Sequence, residues 1–387
     1  MPSPSSAHQP LTSRTTGSIT PPAAAARRVA ILCDAAPGRN GVGTYYSDLA
    51  AQLRPHLDEV LLLSPDDSDQ DIRHWMSVPL PGDHTQKLSM PSPIEVHRRL
   101  RKVRPDVLIV ASPGPYGLMG RSFAKRMQVP VIFGLHTLYD QLTELYWNRW
   151  VGGISRRFMA SLDRQLVQSA HTVIGNSESM VAAARSLGAK RARLLGTLLP
   201  SEFLATPQVP CRPQVERVLF VGRLAGEKRI DRVIAAAKAL PQVVFEVIGD
   251  GPLRHEVCQA DAEVRNFIYR GWQPRHGVLS ALDRCDLLVL PSDIEAFGTV
   301  ALEAMSRARV PLVSARCGIV DWPELAAGVY AFSPEDTLAD ALRRITALTA
   351  EERCAKAERA QNAAQQMNQR TLEAWLSTLH SVARSTP

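Results

Sequence analysis

From Arg27 onward, short continuous apolar runs alternate with longer segments of helical periodicity. RRVAILCDA, DEVLLLSP (Asp58 to Pro65), the run centred on Val107 to Val110, VPVIFGLHT (Val129 to Thr137), AHTVIGNS and ARLLGTLL each read as a strand. Such runs are apolar at successive positions, which predicts strands covered on both faces and therefore a parallel sheet. Between them, APGRNGVGTYYSDLAAQL enters a helix with Tyr46, Leu49 and Leu53 on its apolar side. GLMGRSFAKRMQ, the region from Leu138 to about Ser169, and ESMVAAARSLG supply further helices. Residues Asp66 to Pro93 are polar and Pro-rich and read mainly as loop.

The composition shifts at SEFLATPQVPCRP, where three prolines stand close together as in a linker. The alternation then restarts. ERVLFVGRL, VVFEVIGDG, FIYRGW, CDLLVLPS and VPLVSARCG read as strands separated by helices, with VYAFSP as a last edge strand. Residues 336–368 are helical by pattern and propensity, and QRTLEAWLSTLHSVARS places Leu372, Trp375, Leu376 and Leu379 on one side of a final amphipathic helix. The expected organisation is a disordered leader over 1–26, a first domain over 27–205, a linker over 206–215 and a second domain over 216–369. The helix over 370–387 is expected to pack back toward the first domain. The class is α/β, with two Rossmann-like doubly wound parallel sheets facing an interdomain cleft at their strand C-terminal ends, where such sheets bind ligands.

Composition agrees with this picture and narrows it. At 387 residues, 45% hydrophobic and 21% charged, the chain suits a globular protein of two cores. No run of about eighteen apolar residues is present, so no membrane-spanning helix is expected. The net charge of +7 suits nucleotide phosphates, an anionic bilayer or nucleic acid, and equally an ordinary basic enzyme. No nucleic-acid-binding module accompanies it. Six scattered cysteines without a CxxC pair indicate neither a zinc site nor a disulfide framework, and point to a reduced compartment. The helix beginning at Ile94 carries His97, Arg98, Arg99, Arg101, Lys102 and Arg104; it reads as a solvated face or as a contact for anionic headgroups.

Candidate chemistry gathers at strand C-terminal ends. PSDIEAFGTVALEAM (Pro291 to Met305) sets Glu295 in a loop and Glu303 on a helix, with Gly298 and Thr299 at the helix start. Free N–H groups and the dipole there attract phosphate. VGRLAGEKRID places Arg223 and Lys228 on the loop after the second domain's first strand, where fixed cations can hold a diphosphate. Gly41 and Gly43 lie between a strand and a helix, although NGVG lacks full GxGxxG spacing and a tight turn explains it almost as well. His136 ends a strand; a lone histidine there is more often structural.

Taken together, HT at His136-Thr137, VGRLAGEK at Val221 to Lys228, GDGP at Gly249 to Pro252 and EAFGTVALEAM at Glu295 to Met305 resemble a retaining glycosyltransferase of family 4 (group 1) with the GT-B fold. NGVGTY and SPGPYGLMG are most similar to the branch that glycosylates membrane lipids. The resemblance implies that Arg223 and Lys228 grip the donor diphosphate, helped by the N–H groups of Gly298 and Thr299. Glu303 would accept from the ribose hydroxyls, and Glu295, Ala296 and Phe297 would meet the transferred sugar, which His136 faces from the first domain. Gly41 and Gly43 would let backbone approach the donor phosphates. No tightly bound metal or other cofactor is expected beyond a UDP- or GDP-linked sugar donor. Cys317-Gly318 departs from the two glycines usual in the family, which leaves backbone contact to the sugar there open.

The implied reaction is same-face transfer of a hexose to an acceptor hydroxyl, the departing phosphate taking up the proton. The expected acceptor is a membrane lipid such as diacylglycerol, at the inner face of the cytoplasmic membrane; a soluble or lipid-linked saccharide is the alternative. Tyr146, Trp147, Trp150, Arg149, Arg156 and Arg157 suit either a bilayer interface or internal packing. A non-catalytic nucleotide-sugar-binding protein is the alternative of another class, and such a protein would be expected to have lost one of Arg223, Lys228 or the glutamates.

Overall fold

The computed structural model describes residues 26–37, 41–65, 72–80, 83–136, 160–205 and 210–384. The leader and the aromatic and basic residues between Tyr146 and Arg157 fall outside these. In the first domain, β1 (Arg28–Leu32), β2 (Glu59–Leu63), β5 (Val107–Val110), β6 (Val131–Leu135), β7 (Thr172–Gly175) and β8 (Ala192–Leu194) form one sheet in the order β2-β1-β5-β6-β7-β8. Every pairing in it is parallel. Its central strands are buried from end to end, as their unbroken Val/Ile/Leu runs require.

The second sheet comprises β9 (Arg217–Val221), β10 (Val244–Ile248), β11 (Phe267–Tyr269), β12 (Leu287–Leu290), β13 (Val310–Ser314) and β14 (Tyr330–Phe332), in the order β11-β10-β9-β12-β13-β14. It too is parallel throughout. The order reverses beside β9 and β12, the switch point at which doubly wound sheets bind ligands.

Three expectations change. Within the segment read as loop, β3 (His74–Leu80) and β4 (Asp83–Pro91) pair as an antiparallel hairpin outside both sheets. A two-stranded element with Pro79 in one strand and five polar residues, Asp83 to Lys87, opening the other carries little of the pattern that marks buried strands, so composition alone reads it as loop. The stretch SEFLATPQVPCRP, read as linker by composition, opens on a short helix, Ser201–Ala205, with Phe203 fully buried. Arg307 donates to the Phe203 carbonyl at 3.1 Å and Arg309 to that of Pro210 at 3.3 Å. Finally, Cys211 and Cys354 are joined by a disulfide with Cα atoms 5.6 Å apart. The 143 residues between them hide the pairing from sequence spacing; it forms because the linker crosses the start of the last helix.

That last helix runs unbroken from Ala350 to Arg384. Its second half lays Trp375, Leu379 and Val382 against Tyr45, Tyr46 and Leu49 of α1 (Gly41–Leu53) in the first domain's core. The Trp375 indole donates to the Tyr45 hydroxyl at 3.0 Å. Among the described residues, no helix is long and apolar enough to cross a membrane.

Candidate active site

The residues expected on the donor side lie after β9 and β12, neighbouring strands of the second sheet. After β9, a 3-10 turn (Gly226–Lys228) projects Lys228, whose ammonium meets Glu295 Oε2 at 2.6 Å. Both groups are partly exposed. Arg223 pairs with Glu227 at 2.6 Å. The two loops are locked together: the Asp293 amide donates to the Glu227 carbonyl, and Asp293 receives Arg229 at 3.0 Å. Residues far apart in the chain are thereby held as one charged rim, with Lys228 and Glu295 about equally open to solvent.

Beyond Glu295 the chain turns sharply into a helix, Thr299–Ser306. Gly298 has φ +87°, the left-handed region in which a side chain is strained. No side chain caps the start of this helix, so its first N–H groups remain available to an acceptor from outside the chain. Glu295 bridges to Cys317 across the loop, and the Gly318 amide donates to the Glu295 carbonyl at 2.9 Å. A Cβ on Gly318 would lie 2.0 Å from the Ala296 carbonyl oxygen, so glycine is needed there for this approach. The Cys317 thiol is pushed up to about 12 by burial and donates to the Phe297 carbonyl at 3.4 Å; it is a structural thiol. Phe297 is buried edge-on against Trp322.

Glu303 is buried and accepts from Arg275 at 2.8 Å. The same guanidinium holds Asp48 of α1 with two bonds, of 2.5 and 2.8 Å. Burial raises the Glu303 carboxyl, against the attraction of Arg275. Arg275 opens a helix (Arg275–Arg284) after Pro274. It thus ties the carboxylate expected to hold ribose to the opposite domain. A second bridge runs from the Trp322 indole to the Asn176 carbonyl, at 3.2 Å. Asn176 directly follows β7 and Trp322 follows β13, so the C-terminal edges of the two sheets face one another.

In the first domain His136 follows β6 and is buried, its Nε2 2.8 Å from the Tyr46 hydroxyl. Burial lowers its pKa to about 4, so the imidazole is neutral at neutral pH. Gly134 makes room for this pair: a Cβ there would lie 1.7 Å from the Tyr46 oxygen. Gly43 is packed for a local reason, its missing Cβ being replaced by the Ala36 carbonyl, whereas Gly41 has open space around it.

Asp34, just after β1, escaped the sequence reading. It accepts from Ser112 Oγ at 2.7 Å and from the amides of Gly114 and Tyr116 at 3.0 and 2.7 Å, filling the start of α3 (Pro115–Met127) with the chain's own carboxylate. Burial raises it to about 6 against the pull of those donors. A charged residue directly after an apolar strand was the available signal. Arg275 and Asp48 were also missed; nothing local in sequence announces a pair 227 positions apart. Thr137 lies outside the described residues.

Comparison with known proteins agrees with this geometry. Residues 39–195 match the model for glycosyltransferase family 4, and residues 207–367 match that for glycosyl transferases group 1. The sulfoquinovosyl transferase of Arabidopsis thaliana is 25% identical over 76% of this chain and 60% of its own length. A 2-deoxystreptamine N-acetyl-D-glucosaminyltransferase of Streptomyces fradiae is 29% identical over 53% of each chain. The chain thus spans between half and two-thirds of these relatives. Among solved structures, sucrose-phosphate synthase of Thermosynechococcus elongatus has a TM-score of 0.69 at 16% identity, covering 93% of this chain and 98% of that one. Anabaena HepE in complex with UDP-glucose scores 0.63 at 17%, covering 90% and 99%. With two parallel-sheet halves, a charged rim at the second switch point and family models matching both halves, the chain belongs to the group 1, family 4 glycosyltransferases of the GT-B fold.

Proposed function

We propose that the protein transfers a hexose from a nucleoside diphosphate donor to a lipid hydroxyl, with retention and without a tightly bound metal. The observation that carries the donor half is Lys228 held against Glu295 beside the uncapped start of the helix at Thr299. A diphosphate seated on those N–H groups would draw the Lys228 ammonium and Arg223 onto its oxygens, offsetting the charge that develops as it leaves. Glu295, released from part of its ion pair, would accept from sugar hydroxyls, and Glu303 from the ribose. The neutral His136 would present a ring nitrogen or its backbone to the sugar without adding a charge. The leaving phosphate would take the proton of the attacking hydroxyl. A UDP-linked donor is favoured by the likeness to a fold neighbour that holds UDP-glucose.

The lipid acceptor, and with it work at an anionic membrane face, is supported by the relation to a sulfoquinovosyl transferase and by the net charge of +7. A soluble or lipid-linked saccharide acceptor is the second reading; the relation to a 2-deoxystreptamine glycosyltransferase supports only its soluble, polyhydroxylated character.

Lys228→Ala, with its fold checked by circular dichroism, should lower transfer by about 100-fold or more, the scale of losing one preorganised charge at a leaving group. Turnover close to the parent's would overturn the diphosphate assignment. Product analysis with diacylglycerol and with soluble sugar acceptors separates the two acceptor readings.

A further inference from the structure

The hairpin β3–β4 has no visible reason to expose what it exposes. Met76 pairs with Met90 and Val78 with Leu88, and directly opposed residues of an antiparallel pair share a face. That face is therefore wholly apolar over two rungs, and it is open: Met76 is 57% exposed, Val78 and Leu88 each 44%. Trp75, beside the irregularity between His74 and Met76, is 68% exposed, and Ile94 at the start of α2 (Pro93–Val103) is 76% exposed. Two strands alone are marginal in water, and an apolar cluster of this kind on one face marks a contact surface.

Charge selects the partner. The segments β3, β4, α2 and α3 together hold eight Lys and Arg residues against two acids, Asp83 and Glu95. Arg98, Arg101, Lys102, Lys125 and Arg126 are exposed. α2 and α3 cover the same side of the first sheet, and β4 lies against α3. An apolar projection flanked by cations, with tryptophan and methionine at its surface, fits the headgroup region of an anionic bilayer. A second polypeptide would be expected to bring acids or to leave the flanking surface neutral.

Topology links this face to the cleft. The hairpin follows β2 at its C-terminal end, and its base is tied to α3 by a 2.9 Å bond between His74 Nε2 and the Tyr116 hydroxyl. The Tyr116 amide in turn reaches Asp34 at the C-terminal end of β1. We infer that the β3–β4 hairpin, with the basic faces of α2 and α3, docks the first domain on an anionic membrane so that the cleft mouth opens at the lipid surface. The surface rests on the lipid-acceptor reading for its purpose, and its binding is measured without catalysis.

The test is flotation of the full chain with phosphatidylcholine vesicles, with and without phosphatidylglycerol. The parent should float only with the anionic vesicles. Met76→Ser/Val78→Ser/Leu88→Ser alters exposed side chains only and should weaken that binding by about tenfold or more. Arg98→Glu/Arg101→Glu/Lys102→Glu should abolish it at physiological salt. Both variants should keep the parent's thermal shift with UDP. Parent protein that stays at the bottom at low salt, or a hairpin variant that floats like the parent, overturns the inference. So does a parent dimer that the hairpin variant splits, since a second copy then covers the face. Hairpin-dependent flotation without sugar transfer to diacylglycerol upholds the surface and removes the lipid-acceptor reading.

Discussion

The two halves of the cleft are built in opposite ways. In the second domain, the charged rim sits on two short stretches, Gly222 to Lys228 and Glu295 to Glu303, each following its own strand. In the first, the cleft edge is assembled from single residues: Asp34 after β1, Tyr46 on α1, Ser112 after β5 and His136 after β6. The proposed donor side needs charge at a helix start, and a local segment supplies both. The opposite wall is shaped by packing between elements distant in sequence, with His136 neutral and the Asp34 carboxylate spent on the chain's own donors.

If local segments alone make the donor side, then disturbing backbone contact between them should do the greatest harm. Gly318→Ala would push its Cβ into the Ala296 carbonyl, shifting the loop that carries Glu295. A displacement of about 1 Å at a reacting centre costs about 100-fold, so sugar transfer should fall by at least that factor while circular dichroism stays close to the parent's. A variant with near-parent turnover would show that the loop adjusts freely and that the Cys317-Gly318 turn has no part in the site.

That turn also shows where sequence reading stops. Both sheets were legible because buried parallel strands are apolar at every position. The placing of Arg223, Lys228 and Glu295 on loops after strands, and of Glu303 on the helix that follows, was legible; the structure brings Lys228 to Glu295 and ties Glu303 to Arg275. The hairpin was not legible, since Pro79 and the polar run from Asp83 to Lys87 interrupt its pattern and its apolar face is exposed. Nor was the Asp34 cap, whose partners lie 78 to 83 positions away. The Asp48–Arg275–Glu303 bridge joins the two domains, and no segment of either contains it.

That bridge gives the next prediction, because it is where the halves cease to be separate. Arg275→Met leaves two buried carboxylates facing one another without their shared cation. Removing one partner of a buried pair costs about 3 to 5 kcal/mol, which urea unfolding should register. Asp48→Asn keeps the Arg275–Glu303 bond and should cost about 1 kcal/mol. Equal costs for the two variants would mean that Glu303 gains nothing from Arg275, and that the bridge is a docking contact alone.

Packing on the first-domain wall is tested by a pair of changes. Gly134→Ala drives a methyl into the Tyr46 hydroxyl, and overpacking of a buried site costs about 1 to 3 kcal/mol. Adding Tyr46→Phe removes the atom it strikes, so the double variant should be more stable than Gly134→Ala alone. Rescue of the melting temperature without rescue of turnover would assign the Tyr46–His136 bond to the reaction. Loss of both would place it in the core only.

The smallest effect is expected in the intact protein on acidification. His136 is held at about 4, below its ordinary 6.5, by burial. The unfolded chain therefore binds the extra proton first, and stability present above pH 6.5 is lost as pH falls toward 4. Asp34 is raised from 3.8 to about 6; its folded form binds the proton first, so stability is gained as pH falls through the same window. Each amounts to about 3 kcal/mol at most, with opposite sign, and together they should leave the parent changed by less than about 1 kcal/mol from these two groups. Asp34→Asn should unmask the histidine, giving a steeper fall in urea-midpoint stability from pH 6 to 4 than the parent shows. A parallel fall in both proteins would mean that Asp34 stays ionised in the fold, its amide donors at the start of α3 outweighing its burial. The first-domain helix start would then be filled by a permanent charge, while the second-domain helix start stays uncapped.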